Sequence, residues 1–188
     1  MAENKNDASK VTAVKPKITG AVYTAPLKTA LPTDAKTELD AAFKNLGFIS
    51  DDGIKNENTA SSEDVKAWGG AIVNTVQKDK TDKFKMTFIE GMNINVLKFV
   101  YGKSNVEGTL DTGITIKVGL EEAEPQVIVI DSVLQGGYLK RVVIPMGKLT
   151  ELGEISYSDS EILGYESTVS AFPDSEGHTH YEYIQKKE

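Results

Sequence analysis

A chain of 188 residues, 39% hydrophobic and 26% charged, is long enough to bury a core and has the composition of one soluble globular domain. It has no cysteine, which excludes disulfides and thiolate metal sites, and no apolar run approaches the roughly 20 residues of a membrane-spanning helix. Its net charge is −7, and the stretch from Glu151 to Glu176 holds Glu151, Glu154, Asp159, Glu161, Glu166, Asp174 and Glu176 with no Lys or Arg, which argues against a module that grips phosphate backbones.

The first residues, MAENKNDASK, are charged where a secretory signal needs an apolar segment, so manufacture and use without membrane passage are expected. Residues 1–17 read as a loose polar arm. From Ile18 the segment ITGAVYTAPL reads as a first strand, ended by the turn signal at Pro26. Leu31-Pro32-Thr33-Asp34 then predicts a short helix with Leu39, Phe43 and Leu46 on one apolar face and Gly47 ending it. Ser50–Glu63 is the least hydrophobic internal stretch and predicts a long loop at about residues 50–70. Trp68, the only tryptophan, is expected to anchor the return of that loop to the sheet, with Gly69-Gly70 allowing a tight backbone.

Lys66–Gly102 predicts strand, turn, strand and one short helix. Lys83-Phe84-Lys85-Met86-Thr87-Phe88 alternates as a half-buried strand must. Asn93 is the expected N-cap, Met92 and Leu97 a hydrophobic staple, and Gly102 a left-handed C-terminal cap after Lys98. Ile114, Ile116 and Val118 alternate with Thr115 and Lys117, and Val127–Ile130 predicts a strand buried on both faces. Leu139–Ile144 continues the sheet after a tight turn at Gly136-Gly137, with Pro145 ending it. Glu161–Phe172 alternates with Tyr165, Val169 and Ala171 on one face, and His178–Ile184 is a last strand or arm. The expected fold is mainly β: a sandwich or partly open barrel with one flanking α-helix and a short N-terminal helix. One domain at 18–184 and a tail at 185–188 follow, with open sheet edges suited to pairing between subunits.

The chemistry is sparse. Asp111-Thr112-Gly113 matches the core of aspartic proteases, but one copy before an ordinary strand reads as a turn. His178 and His180 lie two apart, yet they are the only histidines and read as exposed tail residues rather than metal ligands. Asp51-Asp52-Gly53 with Asn56 and Asn58 lacks the spacing of a calcium loop. No catalytic, metal or cofactor site is expected.

Several segments, taken in order, resemble the major tail tube proteins of long, non-contractile-tailed bacteriophages. They are KPKITGAVYTAPLKTALP, LDAAFKNLGFISDDGI, KAWGG with the following FIEGMNINVLKFVYG, GTLDTGITIKV, and GYESTVSAFPDSEGHTHYEY. The resemblance runs from about Lys15 to Ile184 and rests on order and coverage rather than on one motif. It implies a β-sandwich with a flanking helix, related to the tube protein of type VI secretion. It also implies homohexameric rings stacked into a hollow virion tail tube that conducts DNA into the host cell, assembled in the host bacterial cytoplasm. The implied partners are copies of the chain, a tape measure protein, a distal tail protein and a tail terminator protein. DNA would be a transient, repelled cargo. Under that reading Asp51, Asp52, Asn56, Glu57, Asn58, Ser61, Ser62, Glu63 and Trp68 form an inter-ring loop. Glu151, Glu154, Glu161 and Glu166, on late alternating strands without nearby bases, line the lumen. The alternative is a monomeric binding module, for instance for carbohydrate, which needs clustered exposed aromatics; Tyr181 and Tyr183 are the one close tyrosine pair.

Overall fold

The computed structural model describes residues 5–187. In chain order its strands begin with β1 (Val14–Pro16), β2 (Val22–Pro26), β3 (Lys44–Asn45), β4 (Lys55–Lys66) and β5 (Ile72–Phe88). Helix α1 (Ile94–Tyr101) follows, then β6 (Val106–Thr109), β7 (Gly113–Ile116), β8 (Gln126–Leu134), β9 (Tyr138–Leu152), β10 (Tyr165–Ala171) and β11 (Tyr181–Lys186).

One antiparallel sheet folds into both layers of a β-sandwich. β9 belongs to both. Its first half pairs with β8 and β11, its second half with β10, and β10 in turn pairs with β5 and β5 with β4. Proline cannot donate a ladder hydrogen bond, so Pro145 was expected to end this strand. The strand instead absorbs it in a bulge: Ile128 faces Ile144 while Gln126 faces Gly147, and the extra residue bends β9 from one layer to the other.

Between the layers lies the main core. Val22, Ile128, Ile130, Val142 and Ile144 come from one side, and Phe84, Met86, Phe88, Tyr165, Val169 and Ala171 from the other. The expected alternation of Lys83–Phe88 holds, with Phe84, Met86 and Phe88 at most 3% exposed. Helix α1 adds Val96, Leu97, Phe99 and Val100, and Phe99 meets Phe88 edge to face at 5.5 Å. Asn93 caps the helix by accepting from the Asn95 amide at 2.9 Å; Gly102 has a positive φ of 93°, but its ψ of 140° is extended, so it is not the left-handed helical cap expected. Met92 is 72% exposed and makes no staple.

Val127 and Val129 point to the opposite face of β8, where they form a second cluster with Ala25, Phe43 and Val143. Both faces of Val127–Ile130 are therefore buried, as the apolar run predicts. Also on this face, Arg141, the only arginine in the chain, lies directly across from Asp131. Arg141 Nε donates to Asp131 Oδ1 at 2.6 Å and Nη2 to Oδ2 at 2.9 Å, with side chains 1% and 4% exposed. Its Nη1 donates to the carbonyls of Asp34 and Thr37 at 3.0 and 2.8 Å, and Lys17 Nζ reaches Asp131 at 3.3 Å.

Those contacts show why the expected N-terminal helix is absent. Asp34 accepts from the Lys36 and Thr37 amides and from the Thr37 hydroxyl, closing a turn whose carbonyls aim at Arg141. These bonds, those to Thr37 foremost, hold the Asp34 carboxyl down at about 2. Leu46 then enters the main core, Phe43 the second cluster, and Lys44–Asn45 pairs with β2. The N-terminal arm is also less loose than its composition suggests. Val14–Pro16 pairs with Leu134–Ser132 of β8, while residues 1–4 of the arm and residue 188 of the tail lie outside the described residues. Asp111-Thr112-Gly113 forms the turn of the β6–β7 hairpin, and Gly136-Gly137 the turn between β8 and β9, both as expected.

Candidate assembly surfaces

β4 and β5 form a ribbon projecting from the sandwich, which replaces the long loop expected at about residues 50–70, and β5 runs unbroken where strand, turn and strand were expected between Lys66 and the helix. No residue from Lys55 to Thr81 is buried. The ribbon is held by ladder bonds and polar cross-strand pairs. Glu57 pairs diagonally with Lys85 at 3.1 Å, the Thr59 and Thr81 hydroxyls bond at 2.8 Å, Ser61 donates to Asp79, and Glu63 pairs with Lys78. Asp51 and Asp52 occupy the turn before β4, and Asp52 sits 3.9 Å from Lys55. Ser62 flanks a bulge. Trp68 does not anchor a return to the sheet. It stands fully exposed at the ribbon's tip.

At the ribbon's root one buried carboxylate gathers three segments. Asp82 accepts from Asn56 of β4 at 2.7 Å, from the Thr179 hydroxyl at 2.6 Å, and meets His180 Nδ1 at 2.5 Å. His180 is thus a half-buried partner lying edge-on to Phe84, not an exposed tail residue, and His178 points elsewhere, toward Tyr181. Burial alone would raise the Asp82 carboxyl, but the bonds from Thr179, Asn56 and His180 outweigh it and hold it below its ordinary value of 3.8. A depressed carboxylate contributes stability that is present above the unfolded value and lost as pH falls through the folded one. Protection factors of the root amides, measured against their intrinsic exchange rates, should therefore fall as pH drops below about 4, and Asp82→Asn should flatten that dependence.

Two edges of the second layer are unpaired among the described residues. One is the outer edge of β4; the other is the Lys148–Leu152 side of β9 that faces away from β10. Long exposed edges invite pairing with another chain. A family model described as phage tail tube protein matches residues 1–188. The chain belongs to the phage tail tube protein family. No curated protein matches it.

As a tail tube protein it is structural rather than enzymatic, resides in the virion tail, and assembles there with copies of itself and other tail proteins into a tube. The residues expected in the lumen divide. Glu151 and Glu166 lie on β9 and β10, on the exposed face of the second layer. Glu154 and Glu161 belong to the connection between those strands, so their placement on alternating strands is corrected. The absence of nearby bases is corrected too: the face carrying Glu151 and Glu166 also carries Lys148, Lys83 and Lys85 on the paired strands. Tyr181 and Tyr183 pack against the second apolar cluster, so they are not the open aromatic platform that a carbohydrate-binding module needs.

What sequence reasoning missed was Asp82, His180, Asp131 and Arg141. A signal existed for the last two: Asp131 is the only charge in its apolar strand, Arg141 is the only arginine in the chain, and counting outward around a three-residue turn at Gln135-Gly136-Gly137 sets Asp131 opposite Arg141.

Proposed function

We propose that six copies close into a ring through the second layer, and that rings stack into the hollow tube through which DNA enters the host cell. The observation that carries this reading is the pair of free edges on one layer. β9, β10, β5 and β4 are successive antiparallel neighbours, so joining β4 of one copy to β9 of the next keeps the whole ring antiparallel. Six copies give about 24 strands. At a spacing of about 4.8 Å and a tilt of about 40°, the circumference is about 150 Å and the diameter about 48 Å, wide enough for a duplex.

In such a ring the exposed face of the layer lines the lumen. Glu151 and Glu166 would stand among Lys148, Lys83 and Lys85, while Lys85 is already paired with Glu57. Interspersed signs deny a phosphate backbone any continuous basic track, over a Debye length of about 8 Å. Glu154 and Glu161 would fall at an end of the barrel rather than along its wall. Of the residues expected at the ring contact, Asn58, Ser61, Ser62, Glu63 and Trp68 on the β4–β5 ribbon would reach a neighbouring ring, while Asp51 and Asp52 stay in the turn before β4 and Asn56 and Glu57 at the ribbon's root. A tape measure protein would occupy the lumen during assembly in the host cytoplasm, and distal tail and tail terminator proteins would close the two ends.

Electron microscopy of the purified protein tests this directly. Stacked rings of sixfold symmetry, with β9 of one copy hydrogen-bonded to β4 of the next, are expected. A chain that stays monomeric at high concentration with a tail initiator complex supplied would overturn the reading.

A further inference from the structure

Exposed apolar side chains gather at two places, and these lie at opposite ends of β5. The ribbon tip, at the start of the strand, carries Val65, Trp68, Ile72 and Val73 at 44%, 105%, 59% and 62% exposure. Around Gly69 and Gly70 there is open space. At the other end, Ile89–Asn93 leave the strand and line an open apolar depression of about 520 Å³. Its other walls are Leu110 from the β6–β7 turn and Ile162 and Leu163 from the β9–β10 connection. Met92, Leu110 and Ile162 are 72%, 66% and 74% exposed there, so three separate segments present apolar surface to solvent around one hollow. Leu163 packs close against the backbone at Gly91, where a Cβ would come within 2.8 Å of it.

The charges are complementary. Lys66 is the sole charged residue between Val65 and Val73. The segments around the depression carry Glu90, Asp111 and Glu161, with no Lys or Arg within Ile89–Asn93, Glu107–Ile116 or Glu151–Gly164. Glu90 is held in place by the Phe48 amide and the Asn93 side chain, and Glu161 accepts one bond from the Ser156 hydroxyl at 3.2 Å, which leaves Asp111 and the other oxygen of Glu161 for an incoming cation.

We infer that the Trp68 tip of one copy seats in the depression formed by Met92, Leu110 and Ile162 of a second copy, with Lys66 toward Asp111 and Glu161. This rests on the tube reading above and names the contact that stacks the rings. An indole buries roughly 150–250 Å² and needs an apolar pocket with room around it. Tip and depression sit at opposite ends of a strand of 17 residues, about 55 Å at roughly 3.3 Å per residue. A copy therefore cannot fill its own depression. The contact is heterologous and repeats indefinitely along the strand direction, which is what a filament requires and a closed dimer does not supply.

The chain has no cysteine, so a cross-link can be placed without background. Chains carrying Ala67→Cys and chains carrying Ile162→Cys are mixed, assembled and mildly oxidised. Disulfide-linked heterodimers are expected, and the doubly substituted chain should give a ladder of multimers. In parallel, Lys66→Glu should lower the polymerised fraction at least tenfold, and adding Glu161→Lys should restore it. Tubes that form normally without the 67–162 bond, or Lys66→Glu tubes at wild-type yield, overturn this contact and leave the ring reading standing. A wild-type chain that never polymerises overturns both.

Discussion

Replacing Asp131 by alanine should destabilise the fold by about 3–5 kcal/mol, the usual cost of leaving a buried charge without its partner. Arg141 is 1% exposed and would keep its guanidinium in the same place, with Lys17 as an unfavourable neighbour. At about 2–4 °C per kcal/mol for a chain of this size, the melting temperature should fall by roughly 10 °C. The double substitution Asp131→Leu, Arg141→Met should recover part of the loss, because well-packed apolar pairs often replace buried ion pairs without penalty. Recovery should stop short of wild type. Arg141 also donates to the carbonyls of Asp34 and Thr37, and methionine orphans both. Thermal melts of the three proteins decide the matter. If Asp131→Ala melts with the wild type, the pair is not the clamp that ties residues 34–37 to the sheet.

The pair also shows what a sequence of this kind hides. Lys83–Phe88 and Val127–Ile130 were readable because burial on one face, or on both, leaves a period of two or an unbroken apolar run. The Asp131–Arg141 clamp produces no period. It is visible only once the register across the Gln135–Gly137 turn is applied to Asp131 and Arg141. The segment from Asp34 to Leu46 misled for a related reason. Leu39, Phe43 and Leu46 have helical spacing, but Phe43 and Leu46 serve two different clusters on opposite faces of the sheet, which one helix stripe cannot do. Open sheet edges were anticipated as a class, because a β-rich chain has to end its sheets somewhere. Their identity depends on β9 turning at Pro145 from one layer into the other, and a proline in an alternating run reads as an end rather than a bend.

The ribbon was hidden for the opposite reason: both of its faces are solvated, so β4 alternates polar with polar and reads as loop. The same exposure makes it separable from the fold. Asn58 and Asp82 are directly paired, so residues 59–81 can be replaced by an Asn-Gly turn that joins the two strands just beyond the Asp82 root. Both arms have to be cut together, since removing Thr59–Ser62 alone would slide β4 against β5 and leave the partners of the deleted residues, within Gln77–Thr81, without their ladder bonds. The shortened protein should fold and melt within a few degrees of the full chain, because nothing between residues 55 and 81 is buried. Its ability to form tubes should be lost. A two-stranded ribbon gains little stability from itself in water, so the apolar tip and its bearing strands are accounted for by a surface on another copy. Size-exclusion chromatography and negative-stain microscopy of the shortened chain read the two effects separately. Tubes of ordinary length from that protein would reduce the ribbon to decoration, and with it the stacking contact through Trp68.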